Sequence, residues 1–410
     1  MRKTIALLIT LDTKDQEAGY LIEQIEKRGC NALLIDIGVV GVAGIEASVS
    51  RHLVAEEGGS SMSQLLAQPT REEAGPVMVA GATKILLQKI ENDEVHAVLG
   101  LGGTQGTSSC CDIMQALPYG LPKIMVSTMA SGDTSGFVGI KDITMMFSVS
   151  DILKLNPFTR KILANAAAAA CGMADVDIQF AVEKSDRPLI GMSNLGVLTI
   201  GAMEAIKYIE EKGYEVIVFH AVGSGGQAME QMMKEGIIGA VFDYAMGEIA
   251  DDVWSVLRAG GPERLTVAGS LGLPQVLCPG GAEHLGILVA PNVVPEEFKD
   301  HDYVFHSPVV FVPRLNKDEI IKVAKSICGR LNTTTDHAVL MIPRGGVGRY
   351  SKLGAALYDQ ESDDAFFSYI IAHLNPAIKI VDCEEYVEDP TFVRKGVDLL
   401  IELIEKKYNS

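Results

Sequence analysis

The sequence predicts an α/β protein of two Rossmann-like domains, each a doubly wound parallel sheet, with a ligand cleft between them. Short apolar runs rich in Val, Ile, Leu and Met alternate with helical segments. The runs lack strict apolar/polar alternation, as expected for parallel strands buried on both faces. At 410 residues the chain exceeds the size at which one core usually stops growing. Glycine-rich turns also occupy matching places in the two halves. Gly100-Leu101-Gly102-Gly103-Thr104-Gln105-Gly106-Thr107 follows an apolar run at 95–99, and Gly223-Ser224-Gly225-Gly226 follows one at 216–219.

In the first half, strands are predicted at 5–10, 32–37, 97–101, 123–127 and 144–149. A helix over 16–28 places Leu21, Ile22 and Ile25 on one face and stops at Gly29. A later helix that includes 83–91 carries Ile85, Leu86 and Ile90. The polar segment 183–188, ending in Pro188, is the linker candidate and divides the chain into domains 1–184 and 185–410. The strand pattern restarts at 189–192, 215–220, 239–242, 265–268, 338–342 and 378–381. The last segment, 390–408, is a helix with Val393, Val397, Leu400, Ile401 and Ile404 inward, a candidate to pack back on the first domain.

Composition excludes several classes. Lys and Arg number 35 against 53 Asp and Glu, a net charge of −18. Nucleic-acid binding is driven by basic side chains neutralising phosphates, so no nucleic-acid partner is expected. The longest apolar stretch, 162–173, is interrupted by Asn165 and too short to span a bilayer, so no membrane role is expected. The N-terminal apolar run ends at Leu11 and is followed by Asp12-Thr13-Lys14-Asp15 in place of a small-residue cleavage site, which reads as a first strand. Seven cysteines without CxxC spacing suggest reduced thiols in a cytoplasmic protein.

Ligands of open parallel sheets sit at the carboxyl ends of the strands, so the loops there carry the chemistry. A strand that ends in glycines and opens a helix presents backbone N–H groups and the positive end of a helix dipole to an anion. Both glycine turns therefore point to a phosphate-bearing small molecule, through Gly102, Gly103, Thr104, Gly106 and Thr107 and through Gly223, Ser224, Gly225 and Gly226. Neither turn is a P-loop or a dinucleotide fingerprint. After the first strand, Asp12 or Thr13 can cap the next helix and Lys14 can reach an anion; a plain cap with a solvated lysine is the competing reading. The loop 127–134 is dense in hydroxyls, with Ser131, Gly132 and Asp133 the candidates for contact or proton transfer.

In the second half, Ser193 ends the first strand and His220 adjoins the glycine turn, where it could contact a phosphate, move a proton or serve as a structural hydrogen-bonder. Asp243 is the candidate to position Mg²⁺ through water, and Arg344 a candidate phosphate ligand. His301, Asp302 and His306 match no standard zinc spacing. No Gly-x-Ser-x-Gly or His-Glu-x-x-His motif appears, so hydrolase chemistry lacks a signature.

Taken in order, these loops resemble one family. Its first domain is similar to Asp12-Thr13-Lys14 with Glu17, Asp36-Ile37-Gly38-Val39, Gly102 to Thr107, and Ser127 to Asp133. Its second is similar to Gly191-Met192-Ser193, Phe219 to Glu230, Gly272 to Val276, and His306-Ser307-Pro308. This is the group of bacterial, archaeal and fungal proteins that share the ATP-binding domain of a plant tobamovirus-resistance protein. The resemblance covers nearly the whole chain and implies bound ATP and Mg²⁺ with self-association into a homo-oligomer. It implies no particular catalytic activity. Departures from the pattern, at Leu11, Asn194-Leu195, 280–284 and 344–352, cluster in the second domain and leave room there for a different ligand. The alternative function is an enzyme, a hydrolase, lyase or isomerase, acting on a small phosphorylated or carboxylated metabolite.

Overall fold

The computed structural model describes residues 2–67, 71–176 and 187–408. The predicted linker at 183–188 falls mostly outside them. The chain forms two compact units, Met1–Phe180 and Ala181–Ser410.

The first unit is a parallel sheet of β1 (Thr4–Ile9), β2 (Asn31–Asp36), β3 (Ala97–Gly102), β4 (Lys123–Ser127) and β5 (Ile143–Phe147), in the order β2-β1-β3-β4-β5. Its helices are α1 (Asp15–Glu26), α2 (Arg51–Glu57), α3 (Met62–Ala67), α4 (Arg71–Glu91), α5 (Thr104–Gln115), α6 (Ser135–Val138) and α7 (Pro157–Ala174). Strand β1 shows why the run lacks alternation. Ala6 and Leu8 pack with Leu86 of α4 and Met114 of α5, while Ile5, Leu7 and Ile9 pack with Leu21 of α1 and Ala166 of α7. Both faces are core, so both must be apolar.

The second unit repeats the plan. Strands β6 (Ile190–Asn194), β7 (Val216–His220), β8 (Ala240–Ala245) and β9 (Gln275–Gly280) come first. A small antiparallel insert follows: β10 (Ile287–Leu288), β11 (Tyr303–Ser307) and β12 (Val310–Pro313). Then come β13 (Ala338–Pro343) and β14 (Lys379–Cys383). The main sheet runs β14-β13-β9-β8-β6-β7, all parallel. The helices are α8 (Thr199–Glu211), α9 (Ser224–Lys234), α10 (Gly247–Trp254), α11 (Val267–Ser270), α12 (Lys317–Leu331), α13 (Gln360–His373) and α14 (Pro390–Tyr408).

One predicted strand is corrected. The strand predicted at 265–268 is instead a turn running into α11: Leu265 has φ 69°, and the Glu230 carboxylate accepts the amides of Leu265 at 2.6 Å and Val267 at 3.2 Å. The strand that fills the sheet is β9, which Pro274 and Pro279 disguise as loop. The terminal helix α14 packs in its own unit, with Phe392, Val397 and Leu400 in one cluster with Phe242, Tyr244 and Met341. Among the described residues no helix is long and apolar enough to cross a membrane.

In each sheet the first strand lies between the second and third, so its successive connections leave in opposite directions. The loops after those strands diverge there and leave a crevice at their carboxyl ends, the usual ligand position in open α/β sheets. The crevices lie at β1/β3 and β6/β8.

Candidate functional site

The first crevice holds a cavity of about 280 Å³ whose lining comes entirely from the first unit. Asp12, Thr13 and Lys14 reach it after β1, Gly38 and Val39 after β2, and Gly103, Thr104 and Gly106 after β3. Leu65, Leu66 and Met78 supply an apolar wall. A buried ion pair braces the polar side: Arg51 Nε donates to Asp36 Oδ2 at 2.7 Å, and Asp36 Oδ1 accepts the amides of Leu11 and Gly38 at 3.2 and 2.9 Å. A Cβ at Gly38 would stand 3.0 Å from Asp36 Oδ1 and 3.2 Å from both Arg51 Nη2 and Asp12 Oδ1. A bare glycine lets these three polar groups converge. Asp12 Oδ1 is buried and accepts no hydrogen bond among the described residues.

Lys14 is only 9% exposed. Its Nζ donates to the Ile152 carbonyl at 2.8 Å, and among the described residues no carboxylate pairs with it. An ammonium has three donors and a full charge, and burial without a counter-ion is costly unless an anion is bound nearby. The solvated-lysine reading does not fit this burial.

In the same cavity lining, Gly103 stands at the N-cap of α5 with no side-chain cap, and the first backbone bond of the helix runs from the Thr107 amide to the Gly103 carbonyl at 2.8 Å. The amides of Thr104, Gln105 and Gly106 thus have no partner within the helix. Other helices close this end: Asn156 caps α7 and Asn316 caps α12, each in a capping box. A Cβ at Gly103 would meet nothing nearer than Thr128 Oγ1 at 3.9 Å, so the fold itself leaves room for a side chain.

The second glycine turn looks alike in sequence and differs in space. Glu248 Oε1 accepts the amides of Gly223 at 2.6 Å and Gly226 at 3.1 Å, while its Oε2 accepts Arg264 Nε at 2.7 Å. Arg264 is 0% exposed and also donates to Asp243 through Nη1 and Nη2, at 2.5 and 2.6 Å. Ser193 Oγ donates to the same Asp243 at 2.6 Å. The helix after β6 is closed in the same manner, since Glu388 Oε1 accepts the Ile200 amide at 2.9 Å. The chain's own carboxylates therefore occupy the positions where an anion would bind in this unit.

The remaining candidates divide accordingly. Gly102 is buried against the backbone of Gly106, and Thr107 Oγ1 bonds Ser127 Oγ at 2.7 Å, so both shape the first turn from behind. Asp133 accepts the Ser135 amide at 2.9 Å, which holds its carboxyl below the usual range; Asp133, Ser131 and Gly132 do not line the cavity. Asp243, the candidate for Mg²⁺, spends both oxygens on Arg264 and Ser193. Arg344 is held by Asp382 at 2.9 and 2.8 Å. A Cβ at Gly225 would fall 1.9 Å from the His220 carbonyl oxygen, so that glycine is demanded by packing. Ser224 is exposed at the start of α9.

His220 is exposed and lines a second cavity, of about 210 Å³, at the carboxyl ends of β6 and β7. Sequence reasoning named His306 only for a metal spacing and a family motif, and did not join it, His284 or Tyr350 to His220. His306, on the insert, holds Tyr350 Oη at 3.1 Å through Nδ1. His284 is buried, with Nδ1 3.1 Å from Glu283 Oε1 and Nε2 3.4 Å from Arg258 Nη1. A guanidinium only donates, so Nε2 accepts from Arg258, while Nδ1 and both Glu283 carboxylate oxygens are buried and without a hydrogen bond among the described residues. Burial pushes the Glu283 carboxyl up, but His284 and Arg314 beside it hold it down at about 2. Arg258 is itself consumed by Asp251, at 2.9 and 2.8 Å. The signal in sequence was the run of acids in α10 followed by Arg258 and Arg264, too many charges for an apolar neighbourhood unless paired. Among the described residues no three His, Cys, Asp or Glu side chains are grouped to hold a metal ion.

The profile of the "Uncharacterised protein family (UPF0261) N-terminal domain" matches residues 3–179, and that of its C-terminal domain residues 187–404. A UPF0261 protein of Clostridium tetani is 39% identical over 99% of this chain and 100% of its own length. The ToMV resistance protein Tm-1(GCR237) of Solanum lycopersicum is 30% identical over 77% of this chain and 43% of its own length. Among solved structures, a putative UDP-N-acetylglucosamine 2-epimerase from Listeria monocytogenes aligns at 11% identity over 68% of this chain and 79% of its own, with a TM-score of 0.22. The two adjoining profiles span almost all of the sequence, and the chain belongs to the UPF0261 family.

Proposed function

We propose that the first unit binds a phosphate-bearing nucleotide, ATP with Mg²⁺, in the crevice at the carboxyl ends of β1, β2 and β3. The observation that carries this reading is Lys14: a buried ammonium with no carboxylate partner among the described residues, lining the same cavity as the uncapped start of α5. In this reading the amides of Thr104, Gln105 and Gly106 meet phosphate oxygens, Lys14 supplies the compensating charge, and the helix dipole adds to both. Mg²⁺ is commonly held by one or two carboxylates plus phosphate oxygens and water. Asp12 Oδ1, buried and without a hydrogen bond among the described residues, is the carboxylate oxygen that fits. Leu65, Leu66 and Met78 offer the apolar surface for a base.

Equilibrium binding of labelled ATP, with and without Mg²⁺, tests the proposal on wild type and Lys14→Met. Saturable binding that Mg²⁺ strengthens and the substitution weakens supports it. Equal binding by both proteins, or none at millimolar nucleotide, removes it.

A further inference from the structure

The second unit repeats the strand order of the first but offers different chemistry at the carboxyl ends of its first two strands. At its helix starts after β6 and β7 the carboxylates of Glu388 and Glu248 already accept backbone amides where a phosphate would approach. The cavity there is walled instead by aliphatic side chains, Leu195, Val197, Val222, Leu257, Val310 and Val312. Its polar lining consists of three imidazoles, the Tyr350 hydroxyl and Arg258, with no carboxylate side chain. Arg258 is neutralised by Asp251, which leaves the imidazoles and the phenol to meet a ligand.

We propose that this cavity is a separate binding site for a short branched aliphatic carboxylate. His306 Nδ1 and Tyr350 Oη hold each other at 3.1 Å, which fixes the orientation of the insert's imidazole over the pocket. Among the described residues the His220 ring and His306 Nε2 have no hydrogen-bond partner, so both are available to a carboxylate oxygen. Donors limited to imidazole and phenol suit a monoanion. The aliphatic walls take the body of the acid.

Gly196 supplies an independent argument. It lines the cavity, and a Cβ there would meet nothing nearer than His306 Cε1 at 3.9 Å. Neither its φ nor its packing demands glycine, so the missing side chain serves the open space. The insert β10–β12 has the same meaning for the fold, since His306, Val310 and Val312 come from it and form one wall.

The probe is 3-methylbutanoate, observed by saturation-transfer NMR and titrated calorimetrically against the full chain. Its neutral counterpart 3-methylbutanamide and inorganic phosphate are run in parallel. The expected result is saturable binding of the acid, at least tenfold weaker binding of the amide, and no displacement by phosphate. Gly196→Leu, which fills the space, is expected to weaken the acid at least tenfold, as is His306→Gln, an exposed change that keeps a folded fallback should the leucine disturb the turn. Absence of binding at millimolar acid, equal binding of acid and amide, displacement by phosphate, or full affinity in folded His306→Gln would each overturn the assignment.

Discussion

Glu248 accepts the Gly223 amide at 2.6 Å and so places a carboxylate of the chain itself in the second glycine turn. The same carboxylate anchors Arg264, which has no exposed surface. Removing it leaves two uncapped amides and an under-compensated buried cation. Breaking a buried pair in this way costs about 3–5 kcal/mol. Glu248→Ala should therefore lower the unfolding free energy of the second unit's transition, measured by urea denaturation, by that margin. Added formate should recover part of the loss in the variant and none in wild type, because a small anion can re-enter the turn. A variant as stable as wild type would show that Glu248 does not hold this turn.

Lys14 makes the opposite prediction. A cation buried for a ligand's sake is a liability without the ligand, so Lys14→Met should leave thermal stability unchanged or raised in nucleotide-free buffer. Hydrogen bonds to charged groups contribute about 1.5–3 kcal/mol, so ATP affinity should fall roughly ten- to a hundredfold. Loss of stability with intact affinity would make Lys14 a strut for the Ile152 carbonyl.

The two turns also separate in their response to added bulk. Gly103→Val places its Cβ in open space and should keep the fold while blocking approach to the α5 amides. Gly225→Val drives a Cβ into the His220 carbonyl, 1.9 Å away, and should give a destabilised or insoluble chain. The sequence alone suggests that both variants fold and both lose ligand. Circular dichroism with a nucleotide titration distinguishes the outcomes.

Glu230 gives the second unit a pH dependence. Burial pushes its carboxyl up from 4.5 to about 7, against Arg264 and the Leu265 and Val267 amides, which favour the charged form. A carboxyl with a raised native pKa binds more protons folded than unfolded between those two values. Its contribution to stability therefore falls as pH rises from about 4.5 to about 7 and is level above that. Glu230→Gln carries a constant mismatch but no titration. Relative to this variant, wild type should lose ground between pH 5 and pH 8 in chemical denaturation. A constant offset across that range would refute the assignment.

The first site was largely legible because its parts are local. Asp12, Thr13 and Lys14 follow one strand, Gly103, Thr104 and Gly106 follow another, and strand-glycine-helix order suffices to aim them at a crevice. What sequence hid is set by distant partners. Gly223 and Gly226 read as an anion site until Glu248, more than twenty positions later, is seen to fill it. Asp243 and Ser193 read as ligands of something external, yet they serve Arg264. Strand β9 was lost to its prolines, and the second cavity needed the insert, whose short strands carry His306 to Tyr350 across 44 positions.

The most direct measurement follows backbone amides by ¹⁵N TROSY NMR while Mg·ATP is added. Large, saturable shifts are expected at Thr104, Gln105 and Gly106, with Gly223 and Gly226 unmoved because Glu248 already holds them. Shifts at Gly223 and Gly226 with a silent α5 would contradict nucleotide binding in the first unit.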